Sequence, residues 1–337
     1  MFPSTTPTSF DVQDGDFVHH LRINGRFLYD ENGVIEASIK PSIPYIAVDY
    51  RDERGPVLFR FDRQKTRFIL AAHSAPFNIV MLYAGLGNSI FQLAFGLYVE
   101  KKIGIDSLFL MGEKCKTDTL FRFNVPNEEQ MAVLGTQVNE DNVQYMKESF
   151  NNYLNVYNGY FQNVKEYVLP VLSKLRSRYK FKDSDLSTKA KAYLDDIKSS
   201  ESVAIHVRRG DYRNQYNDYI FEEGDVDWYK KALKKLGENV QDPLNTKFFI
   251  FSDDIDWCKK SFSFLDRVVF VGGNSDVEDF HLIKSCKHFI VPNSTFSYTA
   301  MMLSESTGTK VAMKSWFKDV DQTRAKFHFL FPGVLYI

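Results

Sequence analysis

The C-terminal half of the chain alternates apolar runs with amphipathic segments, and this alternation constrains the fold more than any other feature. Strands that alternate with helices build βαβ units, in which the strands are parallel and helices cover both faces of the sheet. We therefore predict a twisted parallel sheet here. The strand-like runs lie at 202–207, 246–251, 267–271, 288–292 and 309–313, and the helix-like segments lie at 226–237, 254–262, 276–286 and 297–305.

The first half of the chain predicts a second α/β region after a β-rich start. Residues 1–76 alternate apolar and polar residues between turn signals such as Asn-Gly, which is typical of strands joined by hairpins. An apolar run at 78–84 then leads through a glycine turn into an amphipathic helix that ends at Gly104, and a further strand-like run spans 106–111. Periodicity in residues 140–180 predicts another helix, whose apolar side carries Tyr145, Met146, Phe150, Tyr153, Leu154 and Tyr157.

The composition excludes several classes of protein. The 337 residues carry a formal net charge of −1, whereas nucleic-acid binding needs a basic excess, so we predict no nucleic-acid partner. Cys115, Cys258 and Cys286 are too far apart for a disulfide framework or a zinc site, and we expect buried thiols. Because no signal peptide and no apolar stretch of about 18 residues is present, we expect no membrane segment and a cytoplasmic protein, or a lumenal one if an anchor was removed.

Polar side chains follow three of the predicted strands, directly at the point where each strand ends. The carboxyl ends of parallel strands lie at one edge of the sheet, where ligands bind in open α/β folds. We therefore expect these groups to form one site. They are His206, Arg208, Arg209, Asp211 and Tyr212 at the end of the first strand, Ser252 to Asp254 at the end of the second, and Asn293 to Ser297 at the end of the fourth.

The chemistry of this edge predicts a site for a nucleotide diphosphate. The guanidinium groups at 208–209 suit phosphate oxygens, and the hydroxyls of Ser294 and Thr295 lie at the start of a predicted helix, which attracts anions. Asp253 can accept hydrogen bonds from a guanine base, and His206 can bond the base or the ribose. No Walker A loop is present, so we expect arginine and backbone groups, rather than a metal, to neutralise the phosphates.

Each of these groups has another interpretation when it is taken alone. Adjacent arginines are common in surface salt bridges, and Ser252 or Asp253 can cap the following helix. The tripeptide Arg209-Gly210-Asp211 is also a cell-adhesion signal, but it directly follows a predicted buried strand instead of lying at the tip of an exposed loop. The convergence of all these groups on one edge favours the nucleotide site.

Four segments of the chain resemble the α-1,2-fucosyltransferases of glycosyltransferase family 11. They are "AGLGNSIFQLAFG" at 84–96, "HVRRGDY" at 206–212, "FSDD" at 251–254 and "DFHLIKSCKHFIVPNSTFSYTAMML" at 279–303, and the resemblance covers about residues 78–337. It implies an α/β fold of the GT-B type, in which two Rossmann-like domains face a cleft. The implied domains are a β-rich extension of unknown role at 1–76, an acceptor-side domain at 77–195 and a GDP-fucose-binding domain at 196–337.

The resemblance also implies roles for the residues of the predicted site. Arg208 is similar to the arginine that holds the β-phosphate of the donor as GDP leaves, which makes it the catalytic residue. His206 and Asp253 are similar to the residues that recognise guanine. The loop from Ser294 to Phe296 is similar to the loop that wraps the pyrophosphate.

Four further residues belong to the predicted site by resemblance. Arg209 and Asp211 are similar to a pair that supports the site from behind. Asp211 is also the nearest candidate for the base that deprotonates the acceptor hydroxyl, so its two roles stay open. Gly87 and Asn88 lie in the glycine turn, and we expect them to face the cleft.

The sequence departs from the family pattern at two positions. Ser89 stands where the family usually has Gln, and Tyr298 stands where family members often have Trp. Both changes leave the donor site as predicted, and we expect them to alter contacts with the acceptor.

The resemblance implies an enzyme that transfers fucose from GDP-fucose, its donor substrate, to a hydroxyl of a glycan with terminal galactose. The transfer inverts the anomeric carbon, needs no metal or other cofactor, and forms an α-1,2 linkage. Two alternatives stay open. One is a fucosyltransferase of another linkage, α-1,6 or protein O-fucosyl, and the other is a nucleotide-binding protein without catalysis.

Overall fold

The computed structural model describes both α/β regions and the strands that precede them. Up to residue 72 and at 131–138 it describes the backbone alone. No helix among the described residues combines the length and the apolarity needed to cross a bilayer. The described residues are 8–14, 17–24, 27–30, 33–36, 45–49, 56–62, 67–72, 78–104, 107–112, 115–122, 131–133, 136–139, 155–210, 224–240, 245–318 and 329–337.

The chain folds as two compact units, and each unit draws on several segments. The first comprises Met1–Ala84, Phe95–Cys115 and Phe123–Phe161, and the second comprises Gly85–Ala94, Lys116–Arg122 and Gln162–Ile337. The predicted division into an extension, an acceptor-side domain and a donor-binding domain concerns ligands as well as packing, and it stays a prediction.

The first unit contains the predicted β-rich extension and one parallel sheet. Its strands are β1 (Thr8–Asp14), β2 (Phe17–Asn24), β3 (Phe27–Asp30), β4 (Gly33–Glu36), β5 (Tyr45–Asp49), β6 (Pro56–Asp62), β7 (Arg67–Ala72), β8 (Asn78–Leu82), β9 (Ser107–Met111), β10 (Met131–Val133), β11 (Thr136–Val138) and β12 (Asn155–Tyr157). Strands β1 to β4 form an antiparallel sheet, and β5 to β7 form a second one, which β10 joins parallel to β5. The third sheet is parallel, with the order β11-β12-β8-β9.

Helix α1 (Leu86–Ile103) follows β8, as predicted. A Cβ atom on Gly96 would lie 2.3 Å from the ring of Phe109 in β9, so the absence of a side chain lets the helix pack closely on the sheet. Gly104 ends the helix with a φ of 74°, a left-handed conformation that favours glycine.

The helix predicted within residues 140–180 is wrong at Asn155–Tyr157, which forms strand β12. All three residues are buried, and they pair with Asn78, Ile79 and Val80 of β8. The hydroxyl of Tyr157 also donates to Asn78 Oδ1 at 3.1 Å. Pairing with a distant strand thus overrides the local periodicity. The remaining residues of the predicted apolar side, Tyr145, Met146, Phe150, Tyr153 and Leu154, lie outside the described residues.

The second unit is built on the parallel sheet predicted from the C-terminal half. The strands are β13 (Glu201–Val207), β14 (Thr246–Ser252), β15 (Val268–Val271), β16 (His288–Val291), β17 (Lys310–Ala312) and β18 (Val334–Tyr336). Their order is β15-β14-β13-β16-β17-β18, and every pair is parallel. The chain builds outward in one direction from β13 and then in the other from β16, so the switch point of the topology lies between these two strands.

Three described helices of this unit precede the sheet in the chain: α2 (Thr117–Leu120), α3 (Leu172–Arg178) and α4 (Thr188–Lys198). Four others connect successive strands of the sheet: α5 (Val226–Gly237), α6 (Ile255–Ser261), α7 (Asp276–Ser285) and α8 (Thr295–Leu303). The five predicted strands and four predicted helices of this region are confirmed, with ends that differ by two residues at most. Strand β18 was not predicted, because a three-residue run at the end of the chain carries no periodic signal. Cys115, Cys258 and Cys286 are buried thiols that form no disulfide, as expected.

Candidate functional site

The structure brings the polar ends of β13 and β14 into direct contact. Arg208 Nη1 lies 3.1 Å from Asp253 Oδ2, and the backbone N–H of Arg209 donates to Asp253 Oδ1 at 3.0 Å. Gly210 makes the approach possible, since a Cβ atom there would lie 2.9 Å from Asp253 Oδ2. The side chains of Arg208 and Asp253 are 34% and 28% exposed, so both can meet a ligand. The predicted convergence of these two segments is confirmed.

Arg209 lies behind this pair and is buried. Its Nε donates to Asp254 Oδ2 at 3.2 Å, and its guanidinium carbon lies 3.8 Å from the centre of the Trp257 ring. A desolvated contact of this kind between a cation and an aromatic face stabilises by about 2 kcal/mol. The predicted partner Asp211 lies outside the described residues, so its roles as partner and as base stay predictions.

Asp254 is a site residue to which the sequence assigned no role of its own. Its Oδ1 accepts the N–H of Trp257 at 3.1 Å, so Asp254 is the cap of α6. The alternative interpretation of Ser252 or Asp253 as that cap is therefore wrong. Asp254 joins Trp257 and Arg209, and the carboxylate of Asp253 is left to face Arg208. The spacing of Asp254 and Trp257, three residues apart, was the local signal for this cap.

His206 lies near the end of the buried strand β13, two residues before Arg208. It is 5% exposed, and its ring centre lies 5.7 Å from that of Phe296. Burial lowers the pKa of His206 to about 3, and the charge of Arg208 adds to this effect, so the imidazole is neutral at physiological pH. Its Nδ1 is buried without a hydrogen-bond partner among the described residues. A buried polar atom in this state is uncommon in native proteins and is consistent with a place for a ligand.

The loop after β16 presents the start of α8 to the same edge of the sheet. Helix α8 begins at Thr295, two residues before its predicted start, so Thr295 and Phe296 lie in its first turn. The first N–H groups of a helix have no partner within the helix and attract anions. Ser294 is buried and precedes the helix, and its hydroxyl makes no capping hydrogen bond. Asn293 anchors the loop by donating to the carbonyl of Trp316 at 2.8 Å.

The glycine turn of α1 lies against the first turn of α8. A Cβ atom on Gly87 would lie 2.3 Å from the carbonyl carbon of Thr295 and 2.4 Å from the nitrogen of Phe296. Only glycine fits at such a distance from two backbone atoms. Asn88 Oδ1 accepts a hydrogen bond from Gln162 Nε2 at 2.9 Å. No motif pointed to Gln162, whose position depends on tertiary contacts alone.

The two departures from the family pattern are buried side chains of the second unit, and the expected change in acceptor contacts stays a prediction. Ser89 is fully buried; its hydroxyl donates to the carbonyl of Leu86 at 2.9 Å and accepts from Thr117. Tyr298 is also fully buried, and its hydroxyl bonds that of Tyr336 at 2.7 Å.

Within the described part of the chain, no three His, Cys, Asp or Glu side chains cluster as ligands of a metal ion. The described cations where β13 ends include the guanidinium groups of Arg208 and Arg209, and of these two side chains Arg208 is the partly exposed one. Metal independence itself stays a prediction.

Comparison with known proteins places these features in a family. The pattern that describes glycosyltransferase family 11 matches residues 127–330. An α-1,2-colitosyltransferase of Escherichia coli is 28% identical over 276 residues, which cover 71% of this chain and 92% of the relative. A galactoside 2-α-L-fucosyltransferase, Sec1 of Mus musculus, is 28% identical over 159 residues, which cover 44% of this chain and 41% of the relative.

A solved structure has the same fold. NodZ α-1,6-fucosyltransferase, co-crystallised with GDP, superposes with a TM-score of 0.52 at 15% identity, over 68% of this chain and 92% of that one. The predicted α/β class and GT-B fold are confirmed. Because the family pattern spans more than half of the sequence, the family predicted from the motifs is confirmed as well. The chain belongs to glycosyltransferase family 11 and is a glycosyltransferase.

Proposed function

We propose that this chain transfers fucose from GDP-fucose to a galactose hydroxyl of a glycan, with inversion, without a metal, and with formation of an α-1,2 linkage. The observation that carries the proposal is the meeting of Arg208 and Asp253 at the switch-point edge of the sheet, 3.1 Å apart. One group suits the diphosphate of this donor and the other suits its guanine. Open α/β sheets bind nucleotides at this edge.

The guanine end of the donor is assigned to Asp253 and His206. An ionised carboxylate has about four lone-pair positions, and Asp253 uses some of them for Arg208 and the N–H of Arg209, so it retains capacity for guanine donors. The neutral imidazole of His206 brings a buried Nδ1 that lacks a partner among the described residues. A hydrogen bond from the donor would satisfy this atom, at a gain of about 1–3 kcal/mol.

The diphosphate end is assigned to Arg208 and the first turn of α8. The ion pair of Arg208 with Asp253 is partly exposed on both sides, and pairs of that kind stabilise by about 1 kcal/mol or less. The replacement of the Asp253 carboxylate by phosphate oxygens as the partner of Arg208 therefore has a small free-energy cost. During transfer, negative charge develops on the departing GDP, and a cation fixed in place at that position lowers the barrier.

The acceptor is assigned by similarity. The mouse relative is named a galactoside fucosyltransferase, which supports a galactoside acceptor. The names of the mouse and the Escherichia coli relatives give different sugars, but both specify a linkage to position 2. Asp211 is proposed either as the base for the acceptor hydroxyl or as a partner of Arg209.

A second candidate differs only in the transferred sugar. The relative that matches the larger part of this chain is a colitosyltransferase, and colitose is fucose without its 3-hydroxyl. A colitosyl donor carries the same GDP group in this proposal, so Arg208, Asp253 and His206 keep their roles. The difference lies in how the enzyme surrounds the sugar.

The test is a comparison of donors, made with and without EDTA. The purified chain is incubated with GDP-fucose or GDP-colitose and with lactose or lacto-N-biose, and the linkage of each product is determined. We expect α-1,2 transfer with GDP-fucose, and faster transfer with GDP-colitose would support the second candidate. Loss of activity with EDTA would contradict metal independence, and GDP binding without transfer to any acceptor would contradict an enzyme.

The variant Arg208→Ala tests the assigned catalytic residue. We expect a fall in kcat of at least about 100-fold, since a fixed charge that stabilises the transition state contributes on that scale. Arg122→Ala, which removes an exposed arginine of the same unit, is the control. Circular dichroism confirms that both variants are folded. Near-normal turnover by folded Arg208→Ala would refute the assignment.

A further inference from the structure

A cavity of about 510 Å³ lies in the second unit, at the end of α8 remote from the candidate nucleotide site. Thr295 at the start of α8 belongs to that site, and Leu303 at its end lines the cavity. Eight residues of helix span ~12 Å, so the two places are distinct. Helix α3 and the last turn of α7 complete the wall. The lining residues that matter here are Ser173, Arg176, Ser177, Tyr179, Lys284 and Glu305.

Lys284 brings to this cavity a positive charge that forms no direct ion pair with an acid of the described residues. Its Nζ lies 4.7 Å from the centre of the Tyr179 ring, and it forms no ion pair or hydrogen bond with the described residues. Burial lowers the pKa of Lys284. The charges of Glu305 and Asp183 oppose this shift, and the charge of Arg176 adds to it. The ammonium group is thus partly dehydrated and lies beside a second cation.

Arg176 supplies that second cation and is held rigidly. Its Nη2 donates to the carbonyls of Met302 at 2.8 Å and Ser304 at 2.7 Å, where α8 ends. Its Nε is buried without a hydrogen-bond partner among the described residues, and no carboxylate of the described chain pairs with it. Two like charges beside each other in a partly dry cavity repel, and an anion between them would remove the repulsion.

We propose that this cavity binds a small hydroxylated anion, the chemistry that a sugar phosphate shares with an acidic sugar residue of a glycan. The anionic group meets Lys284 and Arg176 in charge-assisted hydrogen bonds. The carboxylate of Glu305 at the rim repels a bare anion, but it accepts a hydrogen bond from a hydroxyl of the ligand. Ser177, whose hydroxyl donates to the carbonyl of Lys174 at 2.8 Å, keeps an acceptor for another. The volume matches sites for small ligands, which measure about 300–1,000 Å³.

The experiment is calorimetric titration of the intact chain in the presence of saturating GDP. If the candidate nucleotide site binds GDP as proposed, it is filled and cannot take up the added anion, and the titration can be made equally well if GDP does not bind. The ligands are glucose 6-phosphate, glucuronic acid, glucose and inorganic phosphate. We expect the two hydroxylated anions to bind and glucose not to bind. The tighter of the two identifies the source, and inorganic phosphate binds more weakly than glucose 6-phosphate.

Variants separate this site from general attraction of anions. Lys284→Gln loses about tenfold or more in affinity for both anions, as the loss of one charge-assisted bond implies, and Lys284→Arg retains most of it. Lys260→Gln, which removes an exposed lysine of α6, binds like the parent. Glu305→Gln binds inorganic phosphate more tightly and loses the preference for glucose 6-phosphate.

Several results would overturn the proposal. They are the absence of binding by all three anions, equal binding by Lys284→Gln and the parent, and displacement of the anion by GDP. If Glu305→Gln still prefers glucose 6-phosphate to inorganic phosphate as the parent does, the role assigned to the Glu305 carboxylate is contradicted. Thermal unfolding checks each variant, and if Lys284→Gln does not fold, Lys284→Arg and Glu305→Gln decide the question.

Discussion

Gly87 is the position at which the candidate site is most sensitive to a single added methyl group. In Gly87→Ala the new Cβ atom would lie 2.3 Å from the carbonyl carbon of Thr295, whereas ordinary contact begins at 3.4 Å. The opposing atoms belong to the backbone, so no rotation of a side chain relieves the overlap. The first turn of α8 and the glycine turn must therefore move apart by about 1 Å, which is the contact distance less the separation.

Both stability and activity should register this movement. Overpacking of this kind costs ~1–3 kcal/mol in the free energy of unfolding. A displacement of ~1 Å at a group that positions substrate costs about 100-fold in rate. We expect Gly87→Ala to lower both the free energy of unfolding and kcat/KM for GDP-fucose. The fall in kcat/KM should exceed what the loss of folded protein explains. Urea unfolding and steady-state kinetics measure the two effects.

Gly85 provides the matched control, because it lies in the same turn and a Cβ atom there meets nothing within 4 Å. Its backbone also lacks the positive φ that would strain alanine. Gly85→Ala should be neutral or slightly stabilising, and its kinetics should match the parent. Equal stability and equal kcat/KM for the two alanine variants would refute the close approach of the glycine turn to α8.

Two further predictions concern residues beside the site. Trp257→Leu removes the aromatic face under Arg209 and should lower the free energy of unfolding by about 2 kcal/mol and weaken GDP binding. The control Trp228→Leu should affect stability alone. Equal GDP affinity in the two variants would contradict a role of Trp257 in positioning Arg209. Burial raises the pKa of Asp279 to about 6, so its ionisation lowers the free energy of unfolding as the pH rises from about 4 to 6. The variant Asp279→Asn retains an acceptor for Asn274 and should therefore stabilise the protein by up to ~3 kcal/mol at pH 7 and by little at pH 4. Urea unfolding at the two pH values measures this difference, and equal effects at both would contradict it.

The local pattern was sufficient for the sheet of the second unit. Apolar runs with turns between them predicted five of its strands, because a strand buried on both faces must be continuously apolar. Once those strands were parallel, geometry required their carboxyl ends to share an edge. Arg208 and Asp253 were therefore predicted to lie close together although 45 positions separate them in the sequence.

Local periodicity failed where a distant strand decided the structure. Tyr157 fits the apolar side of a helix by its spacing, yet its segment is held as a strand by hydrogen bonds to β8. The start of α8 was predicted two residues late, since Thr295 and Phe296 read as loop residues in the sequence. Those two residues matter for the site because their N–H groups belong to the first turn of the helix.

The fold class, the family and the edge of the sheet that carries the polar groups could be predicted from the sequence, because they depend on periodicity and on motifs whose residues are neighbours in the chain. The contacts of each polar group became known from the three-dimensional structure. It paired Arg209 with Asp254 and Trp257, joined Asn88 to Gln162, and brought Gly87 against Thr295. Such contacts join residues far apart in the chain, and their distances arise from the packing of whole elements, for which no short stretch of sequence carries a signal.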